Sequence, residues 1–191
     1  RKIRLFNKEL SFSSSSAKYI LSEGEEAIKR GVVISYDSRH FSPEFAQITA
    51  QVLAANGIPS RLSDELRPVP VLSYSVRYFK AFAGVMITAS HNPSKYNGYK
   101  VYGASAGQSG PEEAAAITAE IRGVEGFKTA YMDFQEAIDK EQIILIGKQI
   151  DEIYYEKTMS LLTQPELVRE HGKDLKLVYT PLHGAGNIPV R

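Results

Sequence analysis

The stretch that decides the fold is residues 31–62, GVVISYDSRHFSPEFAQITAQVLAANGIPSRL. Residues 31–36 are β-branched and almost entirely apolar, as expected for a strand buried on both faces. The Ser-Pro-Glu sequence at 42–44 predicts a helix start, because serine caps, proline fits the first turn and an acid complements the helix dipole. Helical spacing of apolar residues ends at Asn-Gly 56–57, and residues 58–62 predict a second strand.

The same alternation continues beyond this stretch. Residues 68–80 carry apolar side chains on one face and predict a helix, whereas the unbroken apolar run 82–88 and the alternating segment 99–102 predict two further strands. Strands alternating with helices predict an α/β fold of three layers, α/β/α, with a mixed, mostly parallel sheet. The short Asn-Gly return at 97–98 favours an antiparallel fourth strand.

The two ends of the chain carry weaker patterns. The serine run at 13–16 is interpreted as a frayed or flexible segment, and the alternative is the first turn of a helix. Further helices are predicted at 111–122, 133–140 and 148–162. Residues 175–180 predict a strand, and the Gly-rich turn after it indicates the start of a second α/β unit that is cut off.

Composition excludes several classes of protein. The chain has 191 residues, 43% of them hydrophobic, and a net charge of +1, which excludes a disordered chain and gives no global field for nucleic acid or an anionic membrane. Cysteine is absent, so there is no disulfide, thiolate metal site or cysteine nucleophile. No apolar run approaches the roughly 20 residues that span a bilayer. We therefore expect a soluble cytoplasmic protein without nucleic-acid or membrane partners.

Polar residues follow two of the predicted strands, at 37–40 and at 88–93. The carboxyl ends of strands are where open α/β sheets bind ligands. Asn-Pro and Asn-Gly turns within 92–98 would fold the second loop back, so that Lys100 returns toward Ser90.

A phosphate ester suits the surroundings of Ser90. A phosphoserine carries about −1.5 to −2 charges, which His91, Lys100 and backbone N–H groups could meet. There is no Gly-x-Ser-x-Gly elbow, and neighbouring side chains such as Ser90 and His91 usually diverge, so a hydrolase is not indicated. The alternative is an ordinary strand-to-strand turn with a satisfied serine.

Two segments resemble a known catalytic loop: Thr-Ala-Ser-His-Asn-Pro at 88–93 and Asn-Gly-Tyr-Lys-Val-Tyr at 97–102. They are similar to the loop of the α-D-phosphohexomutases, above all the phosphoglucomutase/phosphomannomutase branch. Segments 36–44, 67–70 and 179–186 also resemble that family.

The resemblance implies an N-terminal fragment: the first domain of a four-domain enzyme plus the opening strand of the second. On that basis we expect domain I, with its catalytic loop at 88–100, over residues 1–147. A linker helix region would follow over 148–172, and a truncated start of domain II over 173–191.

The activity that the resemblance implies is phosphoryl transfer between the 1- and 6-positions of a hexose phosphate, through a phosphoserine and a bisphosphorylated sugar. Ser90 would be the phosphorylated residue, Lys100 the general acid/base and His91 a residue beside the phosphoryl group. Arg39 and Asn92 would bind substrate or phosphate. The alternative for Arg39 is that it neutralises a nearby carboxylate such as Asp37.

The resemblance also implies Mg²⁺ and a glucose 1,6-bisphosphate-type activator, with the Ser90 phosphate as one metal ligand. The family's metal motif, Asp-Gly-Asp-x-Asp-Arg, does not occur in this sequence. We therefore expect the chain to be inactive alone, its partners being a hexose phosphate and domains II–IV of its own chain. The alternatives are a non-catalytic phosphosugar-binding or interaction module of the same fold, and a phosphopentomutase of the same family.

Overall fold

The computed structural model describes residues 2–112, 115, 117, 119 and 129–191, with residues 2–8 described by their backbone only. A five-stranded sheet forms its centre. The strands are β1 (Val32–Tyr36), β2 (Ser60–Ser63), β3 (Ala83–Ile87), β4 (Tyr99–Tyr102) and β5 (Ile143–Ile146). Their spatial order is β4-β3-β1-β2-β5.

Strand pairing confirms the mixed, mostly parallel sheet. Strand β1 runs parallel to β2 and β3, with Tyr36 opposite Ile87, and β5 runs parallel to β2. Strand β4 is antiparallel to β3, as the Asn-Gly return predicts, and this pairing sets Lys100 opposite Met86. Every residue of β1 and β3 is buried, which explains why their sequences are apolar runs rather than alternating patterns.

Helices cover both faces of the sheet and confirm the three-layer fold. They are α1 (Lys2–Ser22), α2 (Glu25–Arg30), α3 (Ser42–Ala55), α4 (Val69–Tyr78), α5 (Phe134–Asp139), α6 (Lys148–Met159), α7 (Pro165–His171) and α8 (Asn187–Val190), with a 3-10 turn at Gly172–Asp174. On one face α3 contacts the central strands and α1 lies on α3, whereas α4 and α6 pack on the other. Within the described residues, no helix is both long and apolar enough to cross a bilayer.

Each face has its own apolar core. The core beneath α1 and α3 includes the fully buried Ile34 and Leu53. The core beneath α4 includes Leu72, Val76 and Met86. The side chains that alternate along β1 and β3 supply both cores, so the strands fix both layers at once.

The interpretation of the serine run as frayed is wrong. Residues 13–16 lie inside α1, and Ser13, Ser15 and Ser16 are buried. The Ser13 hydroxyl donates a hydrogen bond to Thr49 Oγ1 of α3 at 3.0 Å. Small side chains let the two helices approach closely, while the Ser15 hydroxyl donates to the Ser11 carbonyl of its own helix at 2.8 Å. The alternative of a helix is confirmed, although that helix begins at Lys2.

The predicted strand at 175–180 is also wrong. These residues form no ladder in the described part of the chain, and Val178 is 96% exposed. A single strand without a neighbour leaves its backbone groups unpaired and buries no apolar face. The segment after it folds back toward the sheet, where the Ser38 hydroxyl donates to the carbonyl of His183.

Other elements differ from the sequence predictions in extent. No strand is predicted at 143–146, because four apolar residues are too few to show a period. These residues nevertheless form the edge strand β5. The predicted helix 148–162 ends at Met159, and α7 was not predicted. In the predicted helix 111–122, positions 111, 112, 115, 117 and 119 are helical, and the others lie outside the described residues.

Candidate functional site

Two loops meet at the carboxyl end of the sheet. We call residues 37–41, which follow β1, the β1 loop, and residues 88–98, which follow β3, the β3 loop. Because β1 and β3 are adjacent and parallel, both loops leave the same edge. The Asp37 N–H extends the pairing by donating to the carbonyl of Ile87 at 3.2 Å.

The Asp37 carboxylate joins the β1 loop to its surroundings. Its Oδ1 accepts from the backbone N–H of Arg39 at 3.0 Å and from Ser42 Oγ at 2.8 Å. Its Oδ2 accepts from Thr88 Oγ1 at 2.6 Å and from Arg39 Nε at 3.1 Å. Both carboxylate oxygens are therefore occupied by protein donors from the start of α3 and from both loops.

The Arg39 guanidinium lies under the β3 loop and binds its backbone. Nη1 donates to the carbonyls of Pro93 at 3.0 Å and Tyr96 at 3.2 Å. Nη2 donates to the carbonyls of Ser90 at 2.5 Å and Asn92 at 2.6 Å. A guanidinium has five N–H donors, and the fifth binds the carboxylate described above. Arg39, predicted to bind substrate or phosphate, thus has every donor bonded to protein.

Ser90 is exposed at the tip of this arrangement. Its backbone has a φ of 55°, in the left-handed region, and its N–H donates to Thr88 Oγ1 at 3.0 Å. Ser90 Oγ and His91 Nδ1 form a hydrogen bond of 3.0 Å, in which either atom can be the donor. The expectation that these neighbouring side chains diverge is wrong, because the left-handed turn at Ser90 brings them to the same side.

The side chains of the remaining predicted site residues, Asn92 in the β3 loop and Lys100 on β4, do not join this hydrogen-bond network. Asn92 is exposed, and its backbone N–H donates to the carbonyl of Ala89 at 3.1 Å. Lys100 is half-buried on β4, and its side chain forms no hydrogen bond or ion pair with the described residues. The structure therefore brings Ser90, His91, Arg39 and Asn92 into one loop cluster and sets Lys100 on the adjoining strand.

The Asn-Gly turn closes the β3 loop. The Thr88 N–H donates to the carbonyl of Gly98 at 2.8 Å, and a Cβ on Gly98 would come within 2.7 Å of the Thr88 carbonyl oxygen. Only glycine fits that approach. Asn97 Nδ2 donates to Ser42 Oγ at 2.8 Å and so ties the loop to α3.

Sequence reasoning did not assign site roles to Asp37, Thr88 or Asn97. Each carries a local signal, since all three are hydrogen-bonding residues at a strand end or in a turn. The contacts that join the two loops and α3, however, are Thr88 to Asp37 and Asn97 to Ser42, 51 and 55 positions apart, and no spacing rule identifies a partner that distant.

The described residues do not build a magnesium site on their own. Among them, no group of three or more His, Cys, Asp or Glu residues is placed to hold a metal ion. Mg²⁺ prefers carboxylate and phosphate oxygens, and the oxygens of Asp37 already accept hydrogen bonds. Ser90 could offer a metal only the oxygens of a phosphate attached to it.

Both loops lie in a part of the chain that matches a known protein family. Residues 6–126 match the model of phosphoglucomutase/phosphomannomutase, alpha/beta/alpha domain I, and that range contains both loops and strands β1 to β4. The chain belongs to the phosphoglucomutase/phosphomannomutase family. The resemblance to this family and the expected first-domain fold are confirmed.

Individual members of the family are similar over most of this chain. A phosphoglucomutase of Staphylococcus epidermidis is 40% identical over 162 residues, covering 83% of this chain and 28% of the relative. A probable phosphoribomutase of Schizosaccharomyces pombe is 37% identical over 185 residues, covering 91% and 29%. The chain thus spans less than a third of the length of these relatives.

A solved structure supports the fold. Parafusin, a phosphoglucomutase from Paramecium solved in an open form, superposes with a TM-score of 0.74 at 17% identity. The superposition covers 95% of this chain and 36% of parafusin.

Proposed function

We propose that this chain is the phosphoserine-bearing domain of a mutase that moves a phosphoryl group between the 1- and 6-positions of a hexose phosphate. The observation that carries the proposal is the presentation of Ser90. Its hydroxyl is exposed at the carboxyl end of the sheet, in contact with His91, on a left-handed turn held by hydrogen bonds from beneath. A nucleophile for phosphoryl transfer needs this combination of access and fixed position.

The proposed reaction uses Ser90 Oγ as a carrier. Oγ loses its proton and attacks a phosphoryl group of a hexose bisphosphate, the Oγ–P bond forms as the bond from phosphorus to the sugar oxygen breaks, and the sugar oxygen takes a proton. In the reverse direction a sugar hydroxyl loses its proton while its oxygen attacks the phosphoserine, the Oγ–P bond breaks, and Oγ takes a proton. Turning the sugar between the two steps exchanges the 1- and 6-positions.

Two side chains are assigned to the protons and charges of these steps. The Lys100 side chain has no hydrogen-bond or ion-pair partner among the described residues, so it is available to exchange a proton with the sugar hydroxyl. The His91 ring already touches Ser90 Oγ and would donate to a phosphoryl oxygen there. Asn92, exposed two residues from Ser90, is proposed to bind substrate.

The cofactors and the further domains of the whole enzyme are proposed from the family. Because the chain covers 28% of the S. epidermidis relative, sugar recognition, Mg²⁺ and the bisphosphate activator are proposed for the whole enzyme, with domains II–IV. The division into residues 1–147, 148–172 and 173–191 and a cytoplasmic location belong to the same proposal. Magnesium would lower the charge repulsion between phosphate groups.

A pentose phosphate is the second candidate substrate. It is favoured by the S. pombe relative named a probable phosphoribomutase, which matches 91% of this chain. A non-catalytic module of the same fold is the remaining alternative.

Turnover of the full-length enzyme that contains this chain tests the proposal. Glucose 1-phosphate, mannose 1-phosphate and ribose 1-phosphate are each supplied with Mg²⁺ and the matching bisphosphate in a coupled assay. Ser90→Ala should lower the rate by several orders of magnitude. Ser94→Ala, at an exposed serine of the same loop, should retain it. The 191-residue chain alone should show no turnover.

The outcomes separate the candidates. Preference for a hexose phosphate supports the proposal, and preference for ribose 1-phosphate supports the pentomutase. Binding of a sugar phosphate without turnover of any of the three supports the non-catalytic module. Equal rates for Ser90→Ala and the wild type would refute the role of Ser90.

A further inference from the structure

We propose that Arg39 is a positioning residue that sets the phosphoryl-accepting geometry of the β3 loop, and that it does not bind the substrate phosphate. The inference rests on the proposed function of Ser90. Arg39 is 11% exposed, and its Nη1 and Nη2 atoms bind four backbone carbonyls of one short loop. An arginine committed in this way has no N–H left for a ligand.

The inward carbonyls determine where the opposite ends of their peptide groups point. Peptide bonds here are trans, and a trans peptide directs its N–H away from its C=O. Because the carbonyls of residues 90, 93 and 96 face Arg39, the N–H groups of His91, Ser94 and Asn97 face away from it. In the described part of the chain, none of these three N–H groups donates a hydrogen bond.

These outward N–H groups are suited to an anion. Backbone N–H groups carry positive partial charge, and several of them directed to one side of a turn can bind an anion. His91, Ser94 and Asn97 share the β3 loop with Ser90. Arg39 would therefore act on the phosphoryl group through the backbone, by holding the carbonyls inward so that the N–H groups stay outward.

Ser90 itself needs this support. A φ of 55° is unfavourable for a residue with a Cβ. Hydrogen bonds fix it on both sides, because its N–H donates to Thr88 Oγ1 and its carbonyl accepts from Arg39. Thr88 in turn donates to Asp37, which also holds Arg39. Removing Arg39 would release the carbonyl side of this turn.

Kinetics of the full-length enzyme distinguish positioning from phosphate binding. For Arg39→Met we expect kcat, and the rate of phosphate transfer from glucose 1,6-bisphosphate to Ser90, to fall about 10²-fold, since displacement by about 1 Å costs that much. KM for the hexose phosphate should stay near the wild-type value. Arg39→Lys should not rescue the rate, because an ammonium cannot reach several carbonyls as a planar fork does.

Arg30 provides a matched control. It also donates to backbone carbonyls, from Nε to Lys80 at 2.8 Å and from Nη2 to Ala81 at 3.0 Å, but Lys80 and Ala81 precede β3 at the opposite end of the sheet. Arg30→Met should lower Tm and leave kcat and KM unchanged. If Arg39→Met does not fold, Thr88→Val tests the other side of the same turn and should lower kcat without raising KM.

The inference is overturned if Arg39→Met transfers phosphate to Ser90 at the wild-type rate. It is also overturned if its main effect is a rise in KM that Arg39→Lys restores, since that pattern belongs to a phosphate ligand. Failure of the proposed function looks different: the wild-type enzyme then takes up no phosphate and shows no turnover, and the inference falls with it.

Discussion

The β1 loop and the β3 loop leave the same edge of the sheet but use their residues in opposite ways. In the β1 loop the side chains of Asp37 and Arg39 point inward, with 14% and 11% exposure. In the β3 loop the side chains of residues 90–96 are exposed, and the backbone is what binds the interior. The β1 loop therefore holds the β3 loop in position, and the β3 loop exposes its side chains.

Lys100→Met, at the strand that follows the β3 loop, should give the largest effect of the predictions that follow, because it changes the proposed chemistry directly. It removes the proposed proton-transfer group and leaves the hydrogen bonds of both loops intact. General acid–base catalysis contributes about 10²–10⁴-fold, so we expect a loss of kcat in that range. Phosphate uptake at Ser90 should persist. A coupled assay measures the loss, and unchanged kcat would remove Lys100 from the mechanism.

Asp151→Asn tests a second buried arginine, Arg67, which stabilises the fold and lies outside the two loops. Arg67 and Asp151 are 4% and 7% exposed, and they join the residues before α4 to α6 with Nη2–Oδ2 at 2.8 Å. Burial alone would lower the pKa of Arg67, but its hydrogen bonds and charge interaction with Asp151 raise it overall. Breaking a buried pair leaves an uncompensated charge, so we expect unfolding free energy to fall by about 3–5 kcal/mol.

Urea titration of the 191-residue chain measures this change. Because the pair does not touch either loop, phosphate transfer by the folded full-length variant should match the wild type. A change in the rate of phosphate transfer without a loss of stability would contradict the claim that this ion pair stabilises the fold and has no role at the two loops.

Tyr99→Phe concerns the residue that follows the β3 loop. Burial, with a smaller effect of Glu9, raises the pKa of Tyr99 above its ordinary value of 10.0. The neutral phenol is thus favoured in the folded state: this stability is fully present below pH 10 and is lost as pH rises toward the raised pKa. The variant should lose stability less steeply above pH 10.

Denaturant titrations at several pH values between 9 and 11 measure that slope. Tyr78→Phe, at an exposed tyrosine, is the control and should follow the wild type. Equal slopes for Tyr99→Phe and the wild type would contradict this prediction. Some alkaline loss should remain, because burial also raises the pKa of Tyr36 and of Tyr102.

The smallest effect is expected for Lys140→Ala. Lys140 and Glu136 form an exposed pair on and just beyond α5, with side chains 57% and 50% exposed. Such pairs contribute about 0–1 kcal/mol. Stability and the rate of phosphate transfer should both stay close to the wild-type values. A loss of stability as large as that of Asp151→Asn would show that side-chain exposure does not predict how much an ion pair contributes to stability in this protein.

Local sequence signals predicted much of the fold. Strands β1 and β3 were readable because burial on both faces leaves an apolar run. The antiparallel return to β4 was readable because Asn97-Gly98 encodes a tight turn at that position. The location of the candidate site followed from these strands, since their carboxyl ends define one edge of the sheet.

Structural features that depend on contacts with residues far away in the sequence could not be predicted from the sequence. Ser13 is a buried helix residue because Thr49 lies opposite it on α3, and nothing near position 13 reveals that. Residues 175–180 have a strand composition but no strand beside them in the described part of the chain. The four carbonyl partners of Arg39 lie in the other loop, so they become visible only when the two loops are folded together.

Intact-protein mass spectrometry of the full-length enzyme tests the central claim most directly, namely that Ser90 carries the phosphoryl group on a loop held by its neighbour. After incubation with glucose 1,6-bisphosphate, the wild type, Ser94→Ala and Lys100→Met should each gain a single phosphate. Ser90→Ala should gain none, and Arg39→Met should gain it slowly. Stoichiometric phosphate on Ser90→Ala would show that another residue is the carrier and would contradict the account.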